Sequence, residues 1–341
     1  GRQPGRYASA SGLRTYEIRE LPVRSLGQAG DPHRTIHWPP RFRLGAQKPA
    51  LIVCEHEQEG LLAAEIALQR DLFAPQASLI LYSWQNLLRS RSWPVRLVCA
   101  YTMRAARHIV CASSEAVAVL RQQGFHGGAS VVPLFGIDTE LFQPCAAEQT
   151  RLPWHAAGLV IGYVGRLVPE KGLDALIEAA AGLDFAFTLV FAGAGEALGS
   201  LQEQARQLGI AAHCRFLPAV PNEQVADLMN AFDVLVLPSR TQTHWKEQFG
   251  RVLVEAMSCQ RPVIGSSSGA IPEVVGDAGI IFPEGDVAAL GAALAALAQN
   301  EELRRTLGER GAQRVQENYS LAVVAQQTAG VWRAVLDEAR R

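Results

Sequence analysis

Short apolar runs alternate with stretches of helical spacing along most of this chain, and Gly and Pro punctuate the joints. The pattern is clearest after residue 157, where 159–164, 187–192, 214–217, 234–237, 262–264 and 279–282 read as buried strands. Helical spacing fills the intervals at 173–181, 197–208, 222–230, 250–259 and 287–298. Regular strand–helix alternation implies a parallel sheet covered by helices. From 301 to 341 strand character is missing, and Leu303, Leu307, Val315, Val324, Val331 and Val335 recur at helical intervals, which predicts two terminal helices.

The first half carries a fainter version of the same pattern, with strands expected at 51–54, 78–82, 108–111 and 130–132 and helices at 60–70, 95–106 and 114–123. The first 48 residues, punctuated by Gly12, Pro22, Gly27, Gly30, Pro32, Pro39 and Pro40, show no strand, Gly-rich turn and helix in succession. The expected fold class is therefore α/β, with two doubly wound Rossmann-like domains, the first lacking its opening β/α unit. The chain starts at Gly1-Arg2-Gln3-Pro4 without a signal-peptide pattern, and is read as a fragment or a trimmed form. The division expected is a partial first domain over 1–135, a second over 136–320, and a C-terminal helix over 321–341 that packs back toward the first.

Composition narrows the function classes. With 48% hydrophobic and 19% charged residues the chain is globular, and the apolar run 287–298 is far shorter than the roughly 20 residues that span a bilayer. Six cysteines stand singly, without a C-x-x-C pair, which fits reduced thiols and a cytoplasmic setting. Of the eight histidines only His33 and His37 have H-x-x-x-H spacing, in a segment without helical pattern and without a neighbouring cysteine, and no metal site is expected. A net charge of −1 conceals 16 Lys plus Arg against 9 Asp plus Glu in 1–136, and 16 against 24 in 137–341. The basic half either faces phosphates or anionic lipid or is a solvated arginine-rich surface.

Three motifs carry candidate chemistry. Gly165-Arg166-Leu167-Val168-Pro169-Glu170-Lys171-Gly172 joins a strand to a helix, the edge of an α/β sheet where ligands bind, and Arg166 with Lys171 could clamp a diphosphate or simply face solvent. Glu247-Gln248-Phe249-Gly250-Arg251-Val252-Leu253-Val254-Glu255 places two glutamates around a helix start. The spacing itself means little, because the pairs 57/65, 140/148, 170/178, 301/309 and 309/317 share it and read as surface helix residues. Here, however, the amides of Gly250, Arg251 and Val252 form an anion site. Glu247 would sit beside that anion, and Glu255 on an apolar helix would require a hydroxyl or cation partner. The third motif, Gly193-Ala194-Gly195-Glu196-Ala197-Leu198-Gly199, looks like a dinucleotide fingerprint but opens no domain and reads as a close-packing turn. His56, just after a strand, is either a cleft residue or a structural one.

These residues, with Val234-Leu235-Val236-Leu237-Pro238-Ser239, Pro262-Val263-Ile264-Gly265 and the linker-like Val132-Pro133-Leu134-Phe135-Gly136-Ile137-Asp138, resemble the glycosyltransferase family 4 group, retaining enzymes of the GT-B fold. The resemblance implies an acceptor-binding first domain and a donor-binding second one, and transfer of a sugar from a UDP- or GDP-linked donor to a glycan or lipid-linked acceptor in surface polysaccharide or glycolipid synthesis. It implies that Glu247, Arg166 and Lys171 are catalytic. The donor would be bound by Gly165, Arg166, Lys171, Leu217, Ala219, Glu247, Phe249, Gly250, Arg251, Val252 and Glu255, with Glu255 on the ribose and Glu247 on the sugar hydroxyls. No cofactor or metal is implied.

On the acceptor side His56, Trp84, Gln85 and Asn86 are the candidates. This sequence departs from the family pattern at Gln260, which stands at a left-handed turn, at Phe135 before the linker glycine, and at Tyr82-Ser83-Trp84-Gln85-Asn86, where a strand-end histidine is usual. A hydrolysing nucleotide-sugar epimerase and a non-catalytic nucleotide-binding lobe are the alternatives. The segment 84–96, which mixes Trp84, Leu87, Leu88 and Trp93 with Arg89, Arg91 and Arg96, suggests peripheral docking to an anionic membrane at the inner face of the plasma membrane; nucleic acid is not an expected partner.

Overall fold

The structure, a computed structural model, describes residues 24–26, 36–38, 48–133, 135–145 and 158–341. The first lobe contains a four-stranded parallel sheet in the order β3 (Leu51–Cys54), β4 (Ser78–Ser83), β5 (His108–Cys111) and β6 (Gly128–Val131). Helices α1 (Leu61–Phe73), α2 (Trp93–Ala105) and α3 (Ser114–Gln122) make the crossovers. Alternation along β4 decides what covers each face: Leu79 and Leu81 pack with Ala63, Ala67, Ala116 and Leu120 of the crossover helices, whereas Ile80 points the other way.

The second lobe is a six-stranded parallel sheet made of β7 (Leu159–Val164), β8 (Phe187–Ala192), β9 (Cys214–Leu217), β10 (Val234–Leu237), β11 (Val263–Ser266) and β12 (Ile280–Phe282). The strands lie in the order β9-β8-β7-β10-β11-β12, so the winding direction reverses between β7 and β10. That reversal opens a crevice at the carboxyl ends of these two strands, where a doubly wound sheet binds its ligand. The connecting helices are α4 (Leu173–Ala181), α5 (Leu198–Gln207), α6 (Asn222–Asn230), α7 (Arg251–Ser258), α8 (Ile271–Val275) and α9 (Val287–Gln299), followed by α10 (Glu301–Asn318) and α11 (Leu321–Arg340). Both sheets match the expected α/β class.

The face of the first sheet that Ile80 lines is covered by α11, whose Val335 packs with Ile80, Val110 and Val132. The chain thus crosses between lobes twice. The two crossings meet where the Ile137 amide donates to the Tyr319 carbonyl (2.8 Å) and the Leu321 amide to the Ile137 carbonyl (3.0 Å).

Several expectations need correcting. The first 48 residues do hold strands, β1 (Arg24–Leu26) and β2 (Ile36–Trp38), paired antiparallel; three-residue strands are too short for periodicity to register. Helix α2 starts two residues early because Pro94 is tolerated in a first turn, where no amide is needed. The short α8 lies outside the predicted helices, because five residues are too few for helical spacing to register. Gln260 has φ 55°, as its position suggested. All six cysteines are free, and burial pushes the thiols of Cys54, Cys99 and Cys214 up to about 11, too high for thiolate chemistry near neutral pH.

Candidate active site

Strand β7 delivers Gly165 and Arg166 to the crevice, and a single turn carries the chain to Lys171 before α4 begins. Gly172 is left-handed (φ 64°), and a Cβ there would lie 2.1 Å from the Pro238 carbonyl oxygen. This close approach presses the Lys171 turn onto the end of β10, so that Lys171 and Ser239 face the same space. Into that space comes Glu247, 7% exposed. Its Oε2 accepts hydrogen bonds from Lys171 Nζ (2.6 Å) and from Ser239 Oγ (2.9 Å). The Lys171 ammonium also lies 4.7 Å from the Trp245 ring centroid. Charge pairing and a hydroxyl donor thus satisfy a carboxylate that would otherwise be costly to bury.

Arg166 behaves differently. Its backbone carbonyl is held by the buried Tyr163 hydroxyl (2.7 Å), which burial keeps protonated, while its guanidinium is largely exposed and 3.3 Å from Glu170. The backbone of Arg166 is thus fixed just past the carboxyl end of β7, and the weak surface pair leaves the guanidinium available to another anion.

Beyond Glu247 the chain turns through Gly250 (φ 76°), which starts α7 without a side-chain cap. The first-turn amides of such a helix lack intrahelical partners and carry positive potential. Phe249 is buried between Phe135 and Tyr319, with ring centroids at 6.5 and 5.8 Å, which anchors the turn. Val252 is half-buried against the core. One turn along α7, the buried Glu255 pairs with Arg251 (2.7 Å), so the expected partner is a cation of its own helix. Burial raises the Glu255 pKa and the Arg251 guanidinium opposes that shift. Leu217 and the exposed Ala219 end the outer strand β9 at the same sheet edge, and the Leu217 carbonyl accepts the Gly193 amide (3.0 Å).

The third motif is a packing turn. A Cβ at Gly193 would stand 1.8 Å from the Gly165 oxygen, and one at Gly195 2.1 Å from the Leu167 oxygen, so both glycines let one loop lie against another.

Across the cleft, Asn86 Nδ2 donates to the Glu247 carbonyl (2.8 Å). Gln85 is buried, Trp84 is half-buried with its amide bonded to Glu57, and His56 is buried beside Gly60. Glu57, which the spacing argument placed among surface helix residues, is instead 6% exposed in the turn after β3. Burial pushes its carboxyl up to about 7, against hydrogen bonds from the Trp84 amide and the Ser83 hydroxyl. Nothing in the local pattern distinguishes it, because its burial comes from α2 and the 83–84 backbone. Among the described residues no group of three or more His, Cys, Asp or Glu could hold a metal ion.

In the segment 84–96 the Arg91 side chain, 10% exposed, is taken up by Glu59 and is not among the exposed cations, whereas Arg89 is exposed and donates to the His244 carbonyl. Trp93, Leu97 and Leu88 are 73%, 61% and 58% exposed, beside an exposed Arg96.

Residues 149–314 match the family model described as Glycosyl transferases group 1. A D-inositol 3-phosphate glycosyltransferase of Streptomyces avermitilis is 33% identical over 254 residues, 70% of this chain and 53% of that protein. An uncharacterized glycosyltransferase of Methanocaldococcus jannaschii is 36% identical over 151 residues, 44% of this chain and 41% of the other. The chain therefore spans about half the length of the curated relatives it matches. Among solved structures, Anabaena HepE in complex with UDP superposes with a TM-score of 0.74 at 22% identity, covering 85% of this chain and 80% of that one. Sucrose-phosphate synthase from Thermosynechococcus elongatus gives 0.69 at 24% identity, over 85% and 74%.

Proposed function

Because the chain belongs to the group 1 glycosyltransferases, we propose that it transfers a sugar, with retention, from a UDP- or GDP-linked donor to a glycan or lipid-linked acceptor of surface polysaccharide or glycolipid synthesis. The observation that carries this reading is the convergence of Lys171, Ser239 and Glu247 on the crevice between β7 and β10, next to the amide end of α7. A departing nucleoside diphosphate develops negative charge, and fixed cations and helix-end amides stabilise it without reorganising. Arg166 and Lys171 would take the diphosphate, with Gly165 admitting it close to the backbone. The Gly250, Arg251 and Val252 amides, steadied by Phe249, form the second cradle. Glu255 exchanges Arg251 for ribose hydroxyls, Glu247 receives the sugar hydroxyls, and Leu217 and Ala219 border the base. The departing phosphate oxygen takes the acceptor's proton on the same face. This scheme uses no divalent cation.

The first lobe, with His56, Trp84, Gln85 and Asn86 at its strand ends, would hold the acceptor. Its Leu88, Trp93, Leu97 and Arg96 face would rest peripherally on an anionic membrane on the cytoplasmic side. The HepE structures with UDP and with UDP-glucose support a nucleotide-sugar donor by analogy of fold.

Turnover with a panel of nucleotide sugars, read as nucleoside diphosphate release with and without acceptor, tests this. Lys171→Ala or Arg166→Ala should cost roughly 2 to 4 kcal/mol of barrier at saturating donor. Glu255→Gln should weaken nucleotide binding, and Glu247→Ala should abolish transfer while keeping nucleotide affinity. Release without acceptor that yields an epimerised sugar would replace the transferase with an epimerase, and binding without any turnover would leave a nucleotide-binding lobe. Turnover lost in excess chelator and restored by manganese would overturn the metal-free scheme.

A further inference from the structure

Glu247 is held at both ends by different lobes. Its carboxylate is fixed within its own lobe by Lys171 and Ser239, and its backbone carbonyl accepts the Ala270 amide (3.0 Å) and, from the other lobe, Asn86 Nδ2 (2.8 Å). Room for the asparagine amide depends on Gly269, left-handed at φ 54°. A Cβ there would stand 2.0 Å from the Glu247 oxygen and 3.1 Å from Asn86 Nδ2.

Asn86 is 4% exposed, and the chain just before it is held by the carboxyl of Glu57. One oxygen of that carboxyl accepts the Trp84 amide (2.7 Å) and the other accepts the Ser83 hydroxyl (3.1 Å), fixing how the chain leaves β4. We propose that Glu57 and Asn86 are positioning residues: Glu57 sets the course of 83–86, and Asn86 uses it to fix the backbone of Glu247 across the cleft.

This deepens the reading of Glu247 as the donor-sugar carboxylate and rests on it. Glu59 and Arg91 are the charged groups nearest Glu57, with the thiols of Cys99 on α2 and Cys111 on β5 behind. Both protonation states of Glu57 can make the same two contacts, because a protonated oxygen can donate to the Ser83 hydroxyl while the other still accepts the Trp84 amide. A glutamine can do likewise, whereas an alanine makes neither contact.

The test uses the full chain with UDP for binding and UDP-glucose, or whichever nucleotide sugar of the panel supports turnover, for rate. Asn86→Ala and Glu57→Ala should lower kcat by about 10- to 100-fold, the scale of a misplaced reacting group, with UDP affinity unchanged. Glu57→Gln should restore wild-type kcat. Independently of turnover, amide hydrogen exchange at 246–250 should accelerate in Asn86→Ala and in Glu57→Ala but not in Glu57→Gln.

If Glu57→Ala fails to fold, Asn86→Ala, which removes one contact between the lobes, and Glu57→Gln still decide the matter. Unchanged exchange and unchanged kcat in Asn86→Ala would overturn the proposal, as would an equal fall of UDP affinity and kcat. Glu247→Gln separates the two layers. If it leaves turnover intact, the reading of Glu247 fails; if it abolishes turnover while Asn86→Ala does not slow it, only the positioning role fails.

Discussion

Replacing Glu57 by glutamine should make the first lobe more stable above neutral pH than the wild type, and the size of the effect follows from where the carboxyl sits. Its pKa, ordinarily 4.5, is pushed up to about 7, first by burial and further by Glu59, with the Trp84 amide, the Ser83 hydroxyl and Arg91 opposing. A folded-state pKa above the unfolded value means that the native state holds this proton more tightly. The contribution of the group to stability is therefore complete below about 4.5 and lost as pH rises through about 7. At 1.36 kcal/mol per pH step, the interval amounts to about 3 kcal/mol. Glutamine makes the same contacts and never ionises, so the stability difference between Glu57→Gln and wild type should grow in favour of the variant by about 2 to 3 kcal/mol from pH 5 to pH 8. Urea unfolding followed by tryptophan fluorescence at the two pH values measures this, and the transition of the first lobe, which contains Trp84, is the one to read. Parallel pH dependence of the two proteins would show that Glu57 ionises in the folded state as it does in the unfolded chain, and the burial argument would be wrong.

Two further outcomes are expected. Gly193→Ala should lower stability by at least about 2 kcal/mol, because its Cβ would meet the Gly165 oxygen at φ 156°, whereas Gly199→Ala, with nothing within 4 Å and inside α5, should be neutral or stabilising in the same thermal melt. Co-sedimentation with anionic vesicles at low salt should fall when Trp93, Leu97 and Arg96 are changed together to Ser, Ser and Gln; unaffected binding, or none in the parent chain, would remove this face as a docking surface.

What the sequence determined by itself is largely local. Strands such as 159–164 and 187–192 are continuous apolar runs because both faces of a parallel sheet are buried, and helices such as 173–181 repeat their apolar positions every three or four residues. Those patterns, with Gly165-Arg166, Lys171-Gly172 and the glutamate pair at 247 and 255, mark the strand-to-helix turns at the carboxyl edge of the second sheet. Tertiary structure decided what lies far apart in the chain. The pairing of Lys171 with Glu247 spans 76 positions and depends on the reversal of strand order between β7 and β10, which no local pattern encodes. Glu57 read as a surface residue because its spacing matched solvated pairs, and only the packing of β4 and α2 around it made it a buried carboxyl. Arg91, an exposed cation on the sequence pattern, is packed against Glu59, while Trp93 of the same segment stays outside. Burial of a polar or aromatic side chain is set by the neighbours that the fold brings to it. Periodicity reports which face an element hides, and the fold alone decides which charges that face will meet.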